Sequence, residues 1–171
     1  MNEAASDERA GSEKRGPTCA PSVVGMTTSS NSSTHTGPGA SLSGVHILVD
    51  DPDAALAFYR DTLGLTVRNE VANGGFRWIT LVTDTQPEVE IVLEQPHAGR
   101  SQENGDAIAA LLAKGELQMV QFVSADLDAT FEKVAADDSA EVVQEPTEQF
   151  WGVRDFAVRD PAGNMIRIAQ S

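Results

Sequence analysis

One cysteine, Cys19, is all the 171-residue chain contains. A lone cysteine excludes an internal disulfide and fits a reducing, cytoplasmic compartment. Lysine is almost as scarce, with only Lys14, Lys114 and Lys133. No apolar run reaches the roughly 18 residues that a membrane-spanning helix needs. Nor is there the apolar stretch of about 7–15 residues that marks a signal peptide, so export is not expected. Gly-x-Gly-x-x-Gly, a phosphate loop and a Gly-x-Ser-x-Gly elbow are all missing. Nucleotide binding and serine-hydrolase chemistry therefore have no motif to stand on.

Large apolar residues are also scarce in positions 1–40, where Val23 and Val24 are the only large aliphatics among Ser, Thr, Gly and Pro. Such a segment buries too little apolar surface to offset the entropy of ordering it, so a disordered tail is expected there. Met26 is an alternative start. The folded part is expected to be a single domain over 41–171. Four acidic and three basic residues fall in the tail, leaving 22 acidic against 9 basic in that domain. This acidity would repel nucleic-acid phosphates and argues against such a partner.

What is present is a repeat. Val49-Asp50-Asp51-Pro52-Asp53-Ala54 is echoed by Val123-Ser124-Ala125-Asp126-Leu127-Asp128-Ala129 at a step of 75, and Glu90–Leu93 meets Met165–Ile168 at the same step. A period this long, spanning several elements, indicates two copies of one supersecondary module. The first runs over about 44–95. A Val45–Val49 strand leads to a helix capped by Asp51, with Pro52 in its first turn and Gly64 after its end. Strands over Leu65–Val71, Phe76–Thr83 and Val89–Glu94 follow, with Asn73-Gly74-Gly75 and Gln86-Pro87 as turns.

The second module, about 117–170, repeats this order. It reads as a Leu117–Ser124 strand, a helix capped by Asp126, and strands over Glu141–Gln144, Gly152–Val158 and Met165–Ala169. A helix over Asp106–Lys114 is expected to link the two modules. The predicted class is α+β, two tandem βαβββ modules whose curved mixed sheets enclose a concave cleft.

The phrase Asp51-Pro52-Asp53-Ala54-Ala55-Leu56-Ala57-Phe58-Tyr59-Arg60-Asp61-Thr62-Leu63-Gly64-Leu65, followed by Arg159-Asp160-Pro161-Ala162-Gly163-Asn164-Met165-Ile166, resembles the vicinal oxygen chelate superfamily. That superfamily includes glyoxalase I, bleomycin-resistance proteins and extradiol dioxygenases. The resemblance covers about residues 42–170, and both phrases are fold devices, not catalytic motifs. It implies clefts often completed by pairing subunits, hence a homodimer.

Metal-dependent members place their ligands at positions that fall here on Gly44, Val92, Met119 and Arg167. Glycine and valine offer no donor, and an unpaired guanidinium repels a cation. The resemblance therefore implies no metal and no cofactor at that site. It points to a metal-independent protein that binds a small molecule, aromatic or anionic. An alternative is a lyase, isomerase or dioxygenase with shifted ligands, and another is an inactive regulatory paralogue.

A shift of two along each strand keeps the same face. It puts His46 near Glu94 in the first module, but offers only Gln121 and Ala169 in the second. His46 reads either as such a ligand or as a hydrogen-bonding wall residue. Arg167 reads either as an anchor for an anionic ligand or as the partner of Glu90 or Glu94. Phe76, Trp78, Phe150 and Trp151 flank the turns and strands, with Phe76 matching Trp151 at the 75-residue step. They read as ligand-stacking residues, core or interface. The cleft candidates are thus His46, Trp78, Glu90, Glu94, Gln121, Trp151 and Arg167. His97 is expected in an exposed loop, and Phe58, Leu63 and Tyr59 in the core.

Overall fold

The computed structural model describes residues 39–171, and the expectations for the tail and for Met26 lie outside them. The elements are β1 (Gly44–Leu48), α1 (Pro52–Leu56) continuing as a π-helix over Ala57–Thr62, β2 (Thr66–Asn73), β3 (Phe76–Thr83) and β4 (Gln86–Glu94). After α2 (Gln102–Leu112) come β5 (Met119–Ser124), α3 (Leu127–Ala135), β6 (Glu141–Glu148), β7 (Arg154–Arg159) and β8 (Met165–Gln170). They form two four-stranded mixed sheets of order β1-β4-β3-β2 and β5-β8-β7-β6. In each, the first strand pairs parallel to the last and the other pairings are antiparallel. The fold is the α+β arrangement of two βαβββ modules that the sequence predicts.

Strand alternation sends Ile47, Ile79, Leu81, Ile91 and Leu93 from one sheet, and Phe156, Val158, Ile166 and Ile168 from the other, into one core. The helices contribute Phe58, Tyr59, Leu112, Leu127 and Val134. Both helices that follow a first strand start at the predicted caps. Asp51 accepts from the amides of Asp53 and Ala54, and Asp126 from that of Ala129. The π-helix explains how two consecutive residues reach the core. Neighbours on an α-helix diverge by about 100°, whereas the wider turn closed by Leu63 N–H on the Phe58 carbonyl leaves both Phe58 and Tyr59 fully buried.

Several boundaries differ from expectation for local reasons. The linker helix begins at Gln102, not Asp106, because the Ser101 side chain caps it. Gly105 weakens the helical pattern there; a Cβ at that position would clash with the His97 ring, which packs against it. Strand β6 continues past Gln144 through Pro146. It is an edge strand, and a proline there removes no hydrogen bond that a second neighbour would need. The β3–β4 turn is tighter than predicted, since Thr83 already pairs with Gln86.

The 75-residue step holds for β1/β5 and β4/β8 but fails for β3/β7. Trp78 pairs with Glu94, and Asp155 pairs with Ala169, so the third strands correspond at a step of 77. An ion pair common to both modules agrees. Arg77 reaches Asp53 at 2.7 Å, and Arg154 reaches Asp128 at 2.7 Å. The counterpart of Phe76 is therefore Val153, not Trp151. The β6–β7 connection is longer than the Gly74-Gly75 turn, and it carries Phe150 and Trp151 at its tip.

Candidate functional site

The second module reaches the β1 strand through Gln118, just before β5, and through its last turn. Gln118 bridges the modules, its amide nitrogen donating to the His46 carbonyl at 2.8 Å and its amide oxygen accepting from Leu48 N–H at 2.7 Å. From the second module's last turn, Asn164 Nδ2 donates to the Leu48 carbonyl at 2.9 Å. Tyr59 Oη donates to Asp160 Oδ2 at 2.7 Å, while Asp160 Oδ1 accepts from the amides of Ala162 and Asn164. Burial, then the neighbouring Asp160, raises the Tyr59 phenol well above its ordinary range.

Beside this junction lies an open cleft of about 1160 Å³. Its walls are largely apolar, with Val45, Val89, Met119, Val120 and Val123 among them, and Trp151 also lines it. The polar side chains lining it include His46, Gln121, Asp155 and Arg167. Of the seven candidates from sequence, His46, Gln121, Trp151 and Arg167 line this cleft, whereas Trp78, Glu90 and Glu94 do not. Glu90 instead pairs with Arg68 at 3.0 Å.

Glu94 lies behind His46, only 6 % exposed. Its Oε2 accepts from His46 Nδ1 at 3.1 Å and from Trp78 Nε1 at 3.2 Å, and its Oε1 from Arg100 Nη2 at 2.6 Å. Burial alone would push this carboxyl up. The hydrogen bonds from Arg100 and His46 outweigh that and hold it below the usual carboxylate range.

Arg167 is paired, though with neither Glu90 nor Glu94, which belong to the other sheet. Its Nη2 and Nε donate to Oδ1 and Oδ2 of Asp155 at 2.8 and 3.1 Å. Asp155 comes from the adjacent strand β7. The Arg167 fork, opposed by burial and helped by Gln149, lowers the Asp155 carboxyl below its ordinary range. The sequence reading missed Asp155 because the 75-residue step put nothing of note there; the 77-residue step makes it the counterpart of Trp78. It also missed Gln118 and Arg100, for which neither spacing nor motif gives a signal.

The four positions where the resemblance places metal ligands do not fit a metal. A Cβ on Gly44 would lie 2.9 Å from the Glu90 carbonyl oxygen, so β1 and β4 are too close there for a histidine without a shift. Val92 has no donor, Met119 is a lone thioether, and Arg167 is a cation bound to Asp155. Among the described residues no group of three or more His, Cys, Asp or Glu side chains is placed to hold an ion.

The family model for the Glyoxalase/Bleomycin resistance protein/Dioxygenase superfamily matches residues 34–168. The chain belongs to this superfamily. Similar proteins include the uncharacterised YurT of Bacillus subtilis (strain 168), 34% identical over 126 residues that cover 72% of this chain and 94% of that one. Among solved structures, UcmS2 is 33% identical with a TM-score of 0.69, covering 78% of this chain and 99% of its own. TnmS3, an antibiotic-binding protein from Streptomyces sp. CB03234, shares the superfamily fold at 19% identity and a TM-score of 0.60, over 78% of this chain and 98% of that one. Among the described residues no helix is long and apolar enough to cross a membrane.

Proposed function

We propose that this superfamily member binds a small, flat, largely apolar molecule without a metal, as a cytoplasmic homodimer. The observation that carries the reading is the open, apolar-walled cleft that Trp151 helps to line, within a fold whose four metal positions are Gly44, Val92, Met119 and Arg167. Concave, mostly apolar sites with a few polar groups are the usual form of a small-molecule site. The antibiotic-binding neighbour supports the same class of ligand. An anionic ligand is disfavoured, because Asp155 already offsets the Arg167 charge. The dimer reading is supported by Phe150, Val123 and Met119, which are 96%, 68% and 61% exposed and call for cover by a second copy.

The experiment is a thermal-shift screen of planar aromatic compounds, run beside sedimentation. A ligand at a hundredfold excess over its dissociation constant adds roughly 2.7 kcal/mol, so a hit should raise the melting temperature by several degrees. Trp151→Ala should weaken that response while leaving the unliganded melt unchanged, since the side chain is half exposed. No response from any planar compound, with a monomer at micromolar concentration, would sink the reading.

Metal independence is tested separately. Chelator should leave the melting temperature where it was, and Ni²⁺, Mn²⁺, Fe²⁺ or Zn²⁺ should not raise it. A rise of several degrees abolished by His46→Ala would replace this reading with a metal-dependent enzyme.

A further inference from the structure

We infer that His46 is a hydrogen-bond acceptor set into the cleft wall, and that the cleft selects flat ligands carrying a hydroxyl group. This rests on the reading of the cleft as a small-molecule site and adds the polar group its ligand must present.

Glu94 fixes which nitrogen of the His46 ring carries the proton. An ionised carboxylate can only accept, so the ring nitrogen facing it, His46 Nδ1, must carry the proton. In the neutral ring the lone pair then sits on Nε2. Nε2 has no partner among the described residues, and the imidazole is 58% exposed where it lines the cleft.

The orientation is held from behind. Trp78 Nε1 shares the same carboxylate oxygen, and Arg100 takes the other. Arg100 is itself pinned through Nη1 to the carbonyl of Ala98 at 3.0 Å, with longer contacts to Pro96 and Gln95. Arg100 also offsets the carboxylate's charge, so the cluster needs no second cation from a ligand. Elsewhere in the cleft, Asp155 is only 5% exposed and its oxygens are taken by Arg167 and Gln149, while the remaining Arg167 N–H groups can only donate. Gln121, Gln86, Thr83 and Thr85 also line the cleft, but an amide or a hydroxyl group both donates and accepts and so favours neither type of ligand. His46 is thus the group that discriminates. A site that accepts a hydrogen bond from a ligand hydroxyl rejects the analogue lacking it, because the acceptor is then left unpaired.

The test compares 2-naphthol with 2-methoxynaphthalene, two flat probes of similar size of which only the first can donate. Calorimetric titration is run at about pH 8, above the ordinary imidazole range. Wild-type protein should bind the naphthol at least about tenfold more tightly, equivalent to about 1.4 kcal/mol. His46→Phe should bring the two affinities together while preserving that for the ether, which shows that the fold and cleft survive. Nitrogen-15 spectra of the wild type should place the unprotonated ring nitrogen at Nε2, and Glu94→Gln should blur that assignment.

Equal affinity of wild-type protein for both probes would overturn the role of His46 while leaving the cleft reading intact. So would a naphthol preference that survives His46→Phe, or an unprotonated Nδ1. Failure of both probes to bind would overturn the cleft reading and this inference together.

Discussion

Asp160→Ala should destabilise the fold by roughly 3–5 kcal/mol, seen as a lower urea midpoint at unchanged slope. The carboxylate is 3% exposed and accepts from the Tyr59 hydroxyl, the Asn164 amide and the backbone N–H groups of Ala162 and Asn164. Its removal strands several buried donors at once, each costing roughly 1–3 kcal/mol. Burial raises the Asp160 carboxyl above its ordinary range despite these hydrogen bonds. Part of the gain is therefore spent on desolvation, which keeps the expected loss below the simple total. Asp61→Ala supplies the contrast. Its partner Arg60 is the adjacent residue, both are exposed, and the melt should not change measurably. Equal effects of the two substitutions would show that the buried network does not hold the modules together.

The second large effect is expected at Phe58. Phe58→Ala should cost roughly 3–5 kcal/mol, the usual range for a buried phenylalanine, and lower the melting temperature by roughly 10 °C or more. The ring is fully buried and meets Tyr59 edge-on, with centroids 5.1 Å apart and planes at 85°. The loss would reach beyond one side chain, because the same π-helical turn orients Tyr59 towards Asp160. Phe58→Leu, which refills most of the volume, should recover a good part of the stability. A leucine variant as unstable as the alanine one would mean that the edge-on pairing, not the packed volume, dominates.

The fold was legible because its signals are local and periodic. Asp51 and Asp126 mark the helix starts, alternation marks the core faces, and Asp160–Asn164 marks the last turn. The neighbouring of His46 and Glu94 was legible too, since it needs only a parallel pairing of the first and last strands and a shift of two residues. The opposite partners of Arg167 and Glu90 were not. They depend on which strand lies beside which and on how far the longer β6–β7 connection displaces the register of β7. A constant step of 75 carried the reading to Trp151 and past Asp155. Likewise Arg100 and Gln118 act from a loop and from just before a strand, where the chain's route, not its periodicity, decides what a side chain can reach.

The bonds between the modules have a consequence for how the chain is made. Tyr59 finds its acceptor 101 residues later, and the Leu48 carbonyl finds the Asn164 amide 116 residues later. During synthesis from the N-terminus the first module emerges with its phenol and its strand-edge carbonyl unsatisfied. Both wait until the turn at 160–164 and the strand after it have left the ribosome. The apolar side chains of the shared core wait as well, because their partners on β7 and β8 are translated after the whole first module. Contacts this distant in sequence slow folding, so the nascent first half is the stretch on which a holding chaperone would act, and a chain stopped before residue 160 should be prone to aggregate.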